Sequence, residues 1–265
     1  MSEQNPTSAS VRTFVAIGDS FTEGIADDRG DGVFRGWADL VALRLAGDEP
    51  GLRYANLAVR GRLIGQIRAD QLASAAAMRA DLASLAGGLN DIMRPGCDVE
   101  AVCAHIAHCA SVLAEASGRL VLFHPIDFRR RMPSSARLWP KVERLIETAD
   151  QLAEKHGAAL VRLDAERVFD DARLWAPDRI HLTGEGHRRV AEAVLEALGY
   201  EPSFDWRAPL PAPPAAGPLA RRAAKTWSDV RWLVGFLAPW IKRRLTGKSS
   251  GDGITAKRPE LAPVD

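Results

Sequence analysis

The chain has 265 residues, 46% of them hydrophobic and 26% charged, with 22 Gly and 16 Pro; this is enough for one sizeable core and unlike a disordered, collagenous or disulfide-dense protein. Residues 1–12 lack the basic start and apolar stretch of a secretory signal, and the longest nearly apolar run, Val230 to Ile241, is broken by Arg231 and Pro239, short of the roughly 20 residues that cross a bilayer. The expectation is a cytoplasmic chain with no membrane span and, because Cys97, Cys103 and Cys109 cluster in or beside one predicted helix, no disulfide framework.

A net charge of +1 conceals an asymmetry: residues 219–265 carry 10 basic and 4 acidic side chains, residues 1–218 carry 25 basic and 30 acidic. Such a tail suits an anionic membrane or its own acidic body; no nucleic-acid partner is expected.

From Val11 short apolar runs alternate with longer amphipathic ones, the pattern of a parallel sheet flanked by helices. Strands are predicted at Val11 to Ile17, Leu52 to Leu57, Asp81 to Leu85, Leu120 to Phe123 and Ala158 to Leu163. Between and after them, helices are predicted at Gly36 to Ala46, Leu63 to Ala80, Asp98 to Gly118, Leu138 to Lys155 and Glu185 to Leu198. Asp98 is a candidate N-cap, with Val99, Val102, Cys103, Ile106, Ala110 and Leu113 recurring at helical spacing behind it; Gly157 is placed to close the long fourth helix. Five strands with crossover helices make a doubly wound α/β domain, a three-layer αβα sandwich over residues 11–204, preceded by a flexible N-terminus at 1–10.

Composition changes after Gly199. Prolines at 209, 211, 213, 214 and 218 make a semi-rigid extended linker. Beyond it Trp227, Val230, Val234, Leu237 and Ile241 form one helical stripe and Trp232, Phe236 and Trp240 a second, so residues 205–246 read as a linker followed by a Trp-rich, basic amphipathic extension. So much apolar surface has to be covered, by the chain's own body, by a second copy, or by an anionic membrane met through Lys242, Arg243 and Arg244. Residues 247–265 read as a disordered tail.

In a doubly wound sheet ligands sit at the carboxyl ends of the strands. The residues there are Gly18-Asp19-Ser20-Phe21 after the first strand, Arg60-Gly61-Arg62 after the second, Gly88-Leu89-Asn90-Asp91 after the third, and Asp178-Arg179-Ile180-His181 before the last helix. A serine hydroxyl becomes a nucleophile when an imidazole takes its proton, and Ser20 and His181 fit that division. Asp178, three residues before His181, is placed to hold the other ring proton. The Ser20 N–H, the Gly61 N–H and the Asn90 amide are candidate donors to an oxyanion.

Singly these signals are weak, but in this order they are specific. The four blocks, Gly-Asp-Ser at 18–20, Gly61, Gly-Leu-Asn-Asp at 88–91 and Asp-x-x-His at 178–181, resemble the SGNH hydrolases, the GDSL esterases and lipases, over roughly residues 11–200. The resemblance implies a flavodoxin-like SGNH hydrolase fold with a five-stranded parallel sheet. It also implies a serine esterase acting through an acyl-enzyme on a small-molecule ester, with catalytic Ser20, Asp178 and His181, an oxyanion hole of Ser20, Gly61 and Asn90, and neither metal nor cofactor. Phe21 departs from the motif, which has leucine there.

Other readings of these residues stand beside this one. Ser20 alone would be a helix cap, His187 is a rival base without an acidic partner, and Asp19 and Asp91 are read as loop-holding side chains. His105, His108 and Cys109 share a helix but are read as a solvated face; His124 to Asp127, Trp139 and Trp175 are candidates to border the cleft, and Arg60 and Arg62, flanking Gly61, are read either as meeting an anionic substrate or as solvated. The same machinery serves a thioester, a lysophospholipid or an acetylated sugar, and a binding module working through the C-terminal extension, by membrane contact or self-association, is the alternative from another class.

Overall fold

The first apolar run becomes a central strand. The computed structural model describes residues 10–30, 32–212 and 249–264 and the single positions 217, 227, 229, 232 and 235. Within it β1 (Thr13–Gly18) is flanked by β2 (Arg53–Asn56) and β3 (Leu82–Ala86), with β4 (Arg119–His124) and β5 (Ala159–Arg162) continuing on the β3 side. All these pairings are parallel, in the order β5-β4-β3-β1-β2. Residues Phe14 to Gly18 are all buried, as expected of a strand covered on both faces.

Alternation along β1 divides the core. Phe14 and Ala16 face the layer made by α2 (Gly36–Asp48) and α8 (Gly184–Ala197), with Trp37, Val41, Leu45, Val190 and Val194 beneath them. Val15 and Ile17 face α3 (Ile64–Asp70), α4 (Leu72–Ala77), α6 (Val99–Ala116) and α7 (Trp139–His156), through residues such as Ile64, Leu72, Ile106 and Leu145. The result is the expected three-layer αβα sandwich.

Local chemistry sets the element ends as the sequence suggested. Asp98 accepts from the Glu100 and Ala101 amides at the start of α6, and Gly157 closes α7 in the left-handed conformation. The run from Leu63 to Ala80 is two helices, α3 and α4, broken at Gln71. That break has a use: the buried Gln71 carboxamide both accepts from the Gly18 N–H and donates to the Gly18 carbonyl, each at 2.9 Å. It extends β1 by one ladder step at the point where the chain must turn. Two one-turn helices at strand ends, α1 (Ser20–Glu23) and α5 (Leu89–Ile92), are too short for periodicity to reveal.

Three expectations need correcting. The sheet has six strands, because β6 (Arg258–Pro263) pairs antiparallel with β2; residues 249–264 of the supposedly disordered tail are therefore packed on the body. Cys109 does not lie on a solvated face: it is fully buried, and burial pushes its thiol up to about 11. Finally, α6 is by length and composition apolar enough to cross a bilayer, with a mean hydropathy of 1.2, although charged and polar side chains interrupt its apolar run; its apolar stripe here packs into the core. Residues 1–9, and in the extension Val230, Val234, Phe236, Leu237, Trp240 to Arg244 and most of the linker beyond Ala212, lie outside the described residues.

Candidate active site

Four chain segments converge at the carboxyl edge of the sheet. At the end of β1, Gly18 is the residue the turn requires: a Cβ there would sit 2.5 Å from the Ala86 carbonyl oxygen and 2.7 Å from Thr22 Oγ1. Asp19 follows as the N-cap of α1, its side chain accepting from the Phe21 N–H, so Ser20 occupies the first helical position. Ser20 is half-buried, and neither its hydroxyl nor its N–H has a hydrogen-bond partner among the described residues. Phe21 is directed the other way, into an aromatic cluster with Trp37, Phe123 and His187. The departure from leucine is thus a packing choice behind the serine.

The β2 end is tied to this turn. Asn56, fully buried, donates to the Thr22 carbonyl at 2.9 Å and to the Tyr54 hydroxyl at 2.8 Å, and accepts from the Ala58 N–H. Gly61 then turns with φ of +72°, a left-handed conformation that favours glycine, with the Ser249 hydroxyl packed against it. Its N–H has no partner among the described residues.

The loop after β3 brings Asn90 to the same place. Its amide nitrogen donates to Asp19 Oδ2 at 3.0 Å and to the Arg62 carbonyl at 3.1 Å. Both amide protons are held, and donation to an oxyanion requires one of them to be exchanged. Asp91 Oδ2 accepts from the Ile64 N–H at 3.0 Å at the start of α3, the loop-holding role expected of it. Asp19 has the same kind of role but a less ordinary setting: burial pushes its carboxyl up to about 6, against the opposing pull of the Phe21 amide, His181 and Asn90.

The fourth segment carries the acid–imidazole pair. Asp178 Oδ2 meets His181 Nδ1 at 2.7 Å, while Asp178 Oδ1 accepts from the Ile180 and His181 N–H groups at 3.0 Å each. Burial raises the Asp178 carboxyl, but these bonds and the His181 charge outweigh it, and the net shift is downward. An ionised carboxylate only accepts, so Nδ1 carries the proton and Nε2 is the basic nitrogen. The His187–Ile25 bond, at 3.3 Å, ties the start of α8, which follows His181, to the chain just beyond α1, which begins at Ser20.

The remaining candidates have other work. His187 is fully buried, bonds the Ile25 carbonyl and is driven down to about 4 by burial; it is a neutral packing histidine. His124 is buried between Asp164, at 2.8 Å, and Asp150, at 3.4 Å. Arg60 ion-pairs with the buried Glu23, Arg62 reaches Asp70 at 3.3 Å, and Asp127 holds Arg129. Trp139 is core, while Trp175 stacks on Arg131 and bonds the Phe169 carbonyl. Among the described residues no three His, Cys, Asp or Glu side chains converge as a metal site. Sequence reasoning missed the Asp19–Asn90 bond and the contacts that Asp229, Trp232 and Ser249 make with this edge; no local pattern signals either.

Comparison with known proteins finds the same fold in solved structures. The chain resembles in structure LAE5, an alpha/beta hydrolase enzyme from the metagenome of Lake Arreo, Spain, at 22% identity and a TM-score of 0.58, covering 71% of this chain and 94% of that one. It also resembles TesA (22%, TM-score 0.59, 70% and 97%) and Axe2, an acetylxylan esterase from Geobacillus stearothermophilus (19%, TM-score 0.54, 74% and 95%). No protein of curated function matches it in sequence. The GDSL-like Lipase/Acylhydrolase family matches residues 16–189, a span that runs from within β1 into α8 and takes in all four segments of the site, and the chain belongs to that family.

Proposed function

We propose that the protein is a serine esterase that hydrolyses a carboxylic ester through an acyl-enzyme. The observation that carries this is the Asp178–His181 pair: the carboxylate fixes the ring by Nδ1 and leaves Nε2 to take a proton, while Ser20, at the end of β1, has no competing partner among the described residues. Ser20 Oγ attacks the ester carbonyl carbon and its proton passes to His181 Nε2. The carbonyl oxygen becomes an oxyanion that the Ser20 and Gly61 N–H groups and the Asn90 amide stabilise. Collapse expels the alkoxide, which takes the proton from His181 and leaves as alcohol. Water, deprotonated by the same nitrogen, then releases the acid and restores Ser20.

Among the matched structures are catalytic mutants of Axe2 with alanine for a serine, an aspartate or a histidine, the same three residue types proposed here. Ester hydrolysis is favoured over a binding-only role because a buried Asp19 holds Asn90 at the edge of the site, an arrangement without purpose in a vestigial pocket. The test is turnover of p-nitrophenyl acetate by the full chain and by Ser20→Ala. The substitution is expected to abolish turnover and leave the circular dichroism spectrum unchanged; undiminished turnover would remove Ser20 from the mechanism.

A further inference from the structure

We infer that Trp232 and Asp229, which lie outside the span shared with the family, are positioning residues for the acid–imidazole turn; this rests on the esterase reading above. Both sit in helical backbone three positions apart, a spacing that presents them on one face. The Trp232 indole N–H donates to the Asp178 carbonyl at 2.8 Å. Asp229 pairs with the Arg179 guanidinium at 2.6 Å, and that guanidinium lies over the Trp232 ring, 5.0 Å from its centroid.

What they grip is the strained part of the turn. Arg179, between the acid and the imidazole, has φ of +65°, a left-handed conformation that a side chain other than glycine, asparagine or aspartate seldom adopts. Its carbonyl accepts from Arg131 at 2.7 Å and its N–H donates to the Ala176 carbonyl at 2.8 Å. Backbone and side chain are thus held from two sides: by Arg131, stacked on Trp175, and by the extension. Relaxation of Arg179 toward ordinary backbone angles would rotate the peptides on either side of it. Those peptides carry the Asp178 carbonyl and the Ile180 N–H that orients the Asp178 carboxylate, so the carboxylate and the His181 ring it holds would shift. The extension therefore acts on catalysis through the turn, without touching the ester.

The experiment measures kcat and KM for p-nitrophenyl acetate in the full chain, Trp232→Phe and Trp232→Ala, each normalised to sites titrated with a fluorophosphonate. The alanine variant should lose about tenfold in kcat. The phenylalanine variant, which keeps the ring under Arg179, should lose less, and KM should stay near the wild-type value in both. A loss explained wholly by fewer titratable sites would make the contact merely structural, and a rise in KM at constant kcat would make it a substrate wall; either overturns the inference. A second arm places Arg179→Asn or Arg179→Ala in the Trp232→Ala background. Asparagine accepts the left-handed conformation, so it should recover kcat where alanine does not, and equal rates in the two would also overturn the inference. A wild-type chain that neither titrates nor turns over would overturn the esterase reading and this one together, whereas an active wild type with unaffected Trp232 variants would overturn this one alone.

Discussion

The catalytic edge and the C-terminal segment 249–264 are held to the same sheet by different means. The edge is built from loops that leave parallel strands, each fixed by side chains a few residues away or on the adjoining strand: Asp19 under Phe21, Asn56 under Thr22, Asp178 under His181. The C-terminal segment has a local turn at Ser249–Asp252 but is held to the body by distant partners. Its main anchor is Lys257, whose ammonium donates to the Glu23, Phe34 and Arg35 carbonyls and to Asp39 at 2.6–2.8 Å. Arg53 of β2 bonds the Leu261 carbonyl, and Ser249 Oγ the Gly61 carbonyl. One region is fixed by loop side chains that bond within their own turns or to the neighbouring strand ends, the other by a buried cation and a free sheet edge.

The contrast predicts that substitutions at the edge cost rate and spare stability, and that those in the segment do the reverse. The largest expected effect is Asp178→Asn, which leaves the imidazole in the wrong tautomer and should lower kcat by about 10³–10⁴ with little change in Tm. Asn90→Ala should lower kcat by about 10²–10³ and affect KM far less, as expected for a donor acting mainly in the transition state; a pure KM effect would remove Asn90 from the oxyanion site. Lys257→Met strands a largely buried carboxylate and three carbonyls. It should cost about 3 kcal/mol and lower Tm by on the order of 10 °C, with turnover per titrated site near that of the wild type. A rate loss as large as that of Asn90→Ala would erase the division between the two regions.

The last effect is a dependence on pH. Between the ordinary value of 3.8 and about 6 the folded chain keeps on Asp19 a proton that the unfolded chain releases, so this group lowers stability as pH rises through that window. The cost, up to about 3 kcal/mol, stands in full above pH 6. Asp19→Asn should flatten this part of a stability-against-pH curve measured by denaturant unfolding; an unchanged slope would show that Asp19 is not the buried acid responsible.

The same contrast explains what the sequence could tell. The parallel strands and the long helices were legible because each leaves a local apolar signature, a continuous run as in Phe14 to Ile17 or a helical period as in the Val102–Ile106–Leu113 stripe. The candidate site residues were legible because their chemistry sits in short blocks at strand ends. Strand β6 was not, because Arg-Pro-Glu-Leu-Ala-Pro has neither alternation nor strand propensity. Pro259 and Pro263 lack the N–H an interior strand needs and are tolerated only at an edge. Lys257 read as one more charge in a basic tail, since nothing within ten residues shows that it will end among the carbonyls of Phe34 and Arg35. Arg179 gave no sign of its left-handed backbone, which the contacts with Asp229, Trp232 and Arg131 accompany.

The central claim, that Ser20 is activated by His181, is tested most directly by mass spectrometry of the protein after reaction with a fluorophosphonate. The account predicts a single phosphonyl adduct on Ser20 of the wild type and its loss in His181→Ala under the same conditions. An adduct on another residue, or one on Ser20 that forms equally fast without the imidazole, would contradict it.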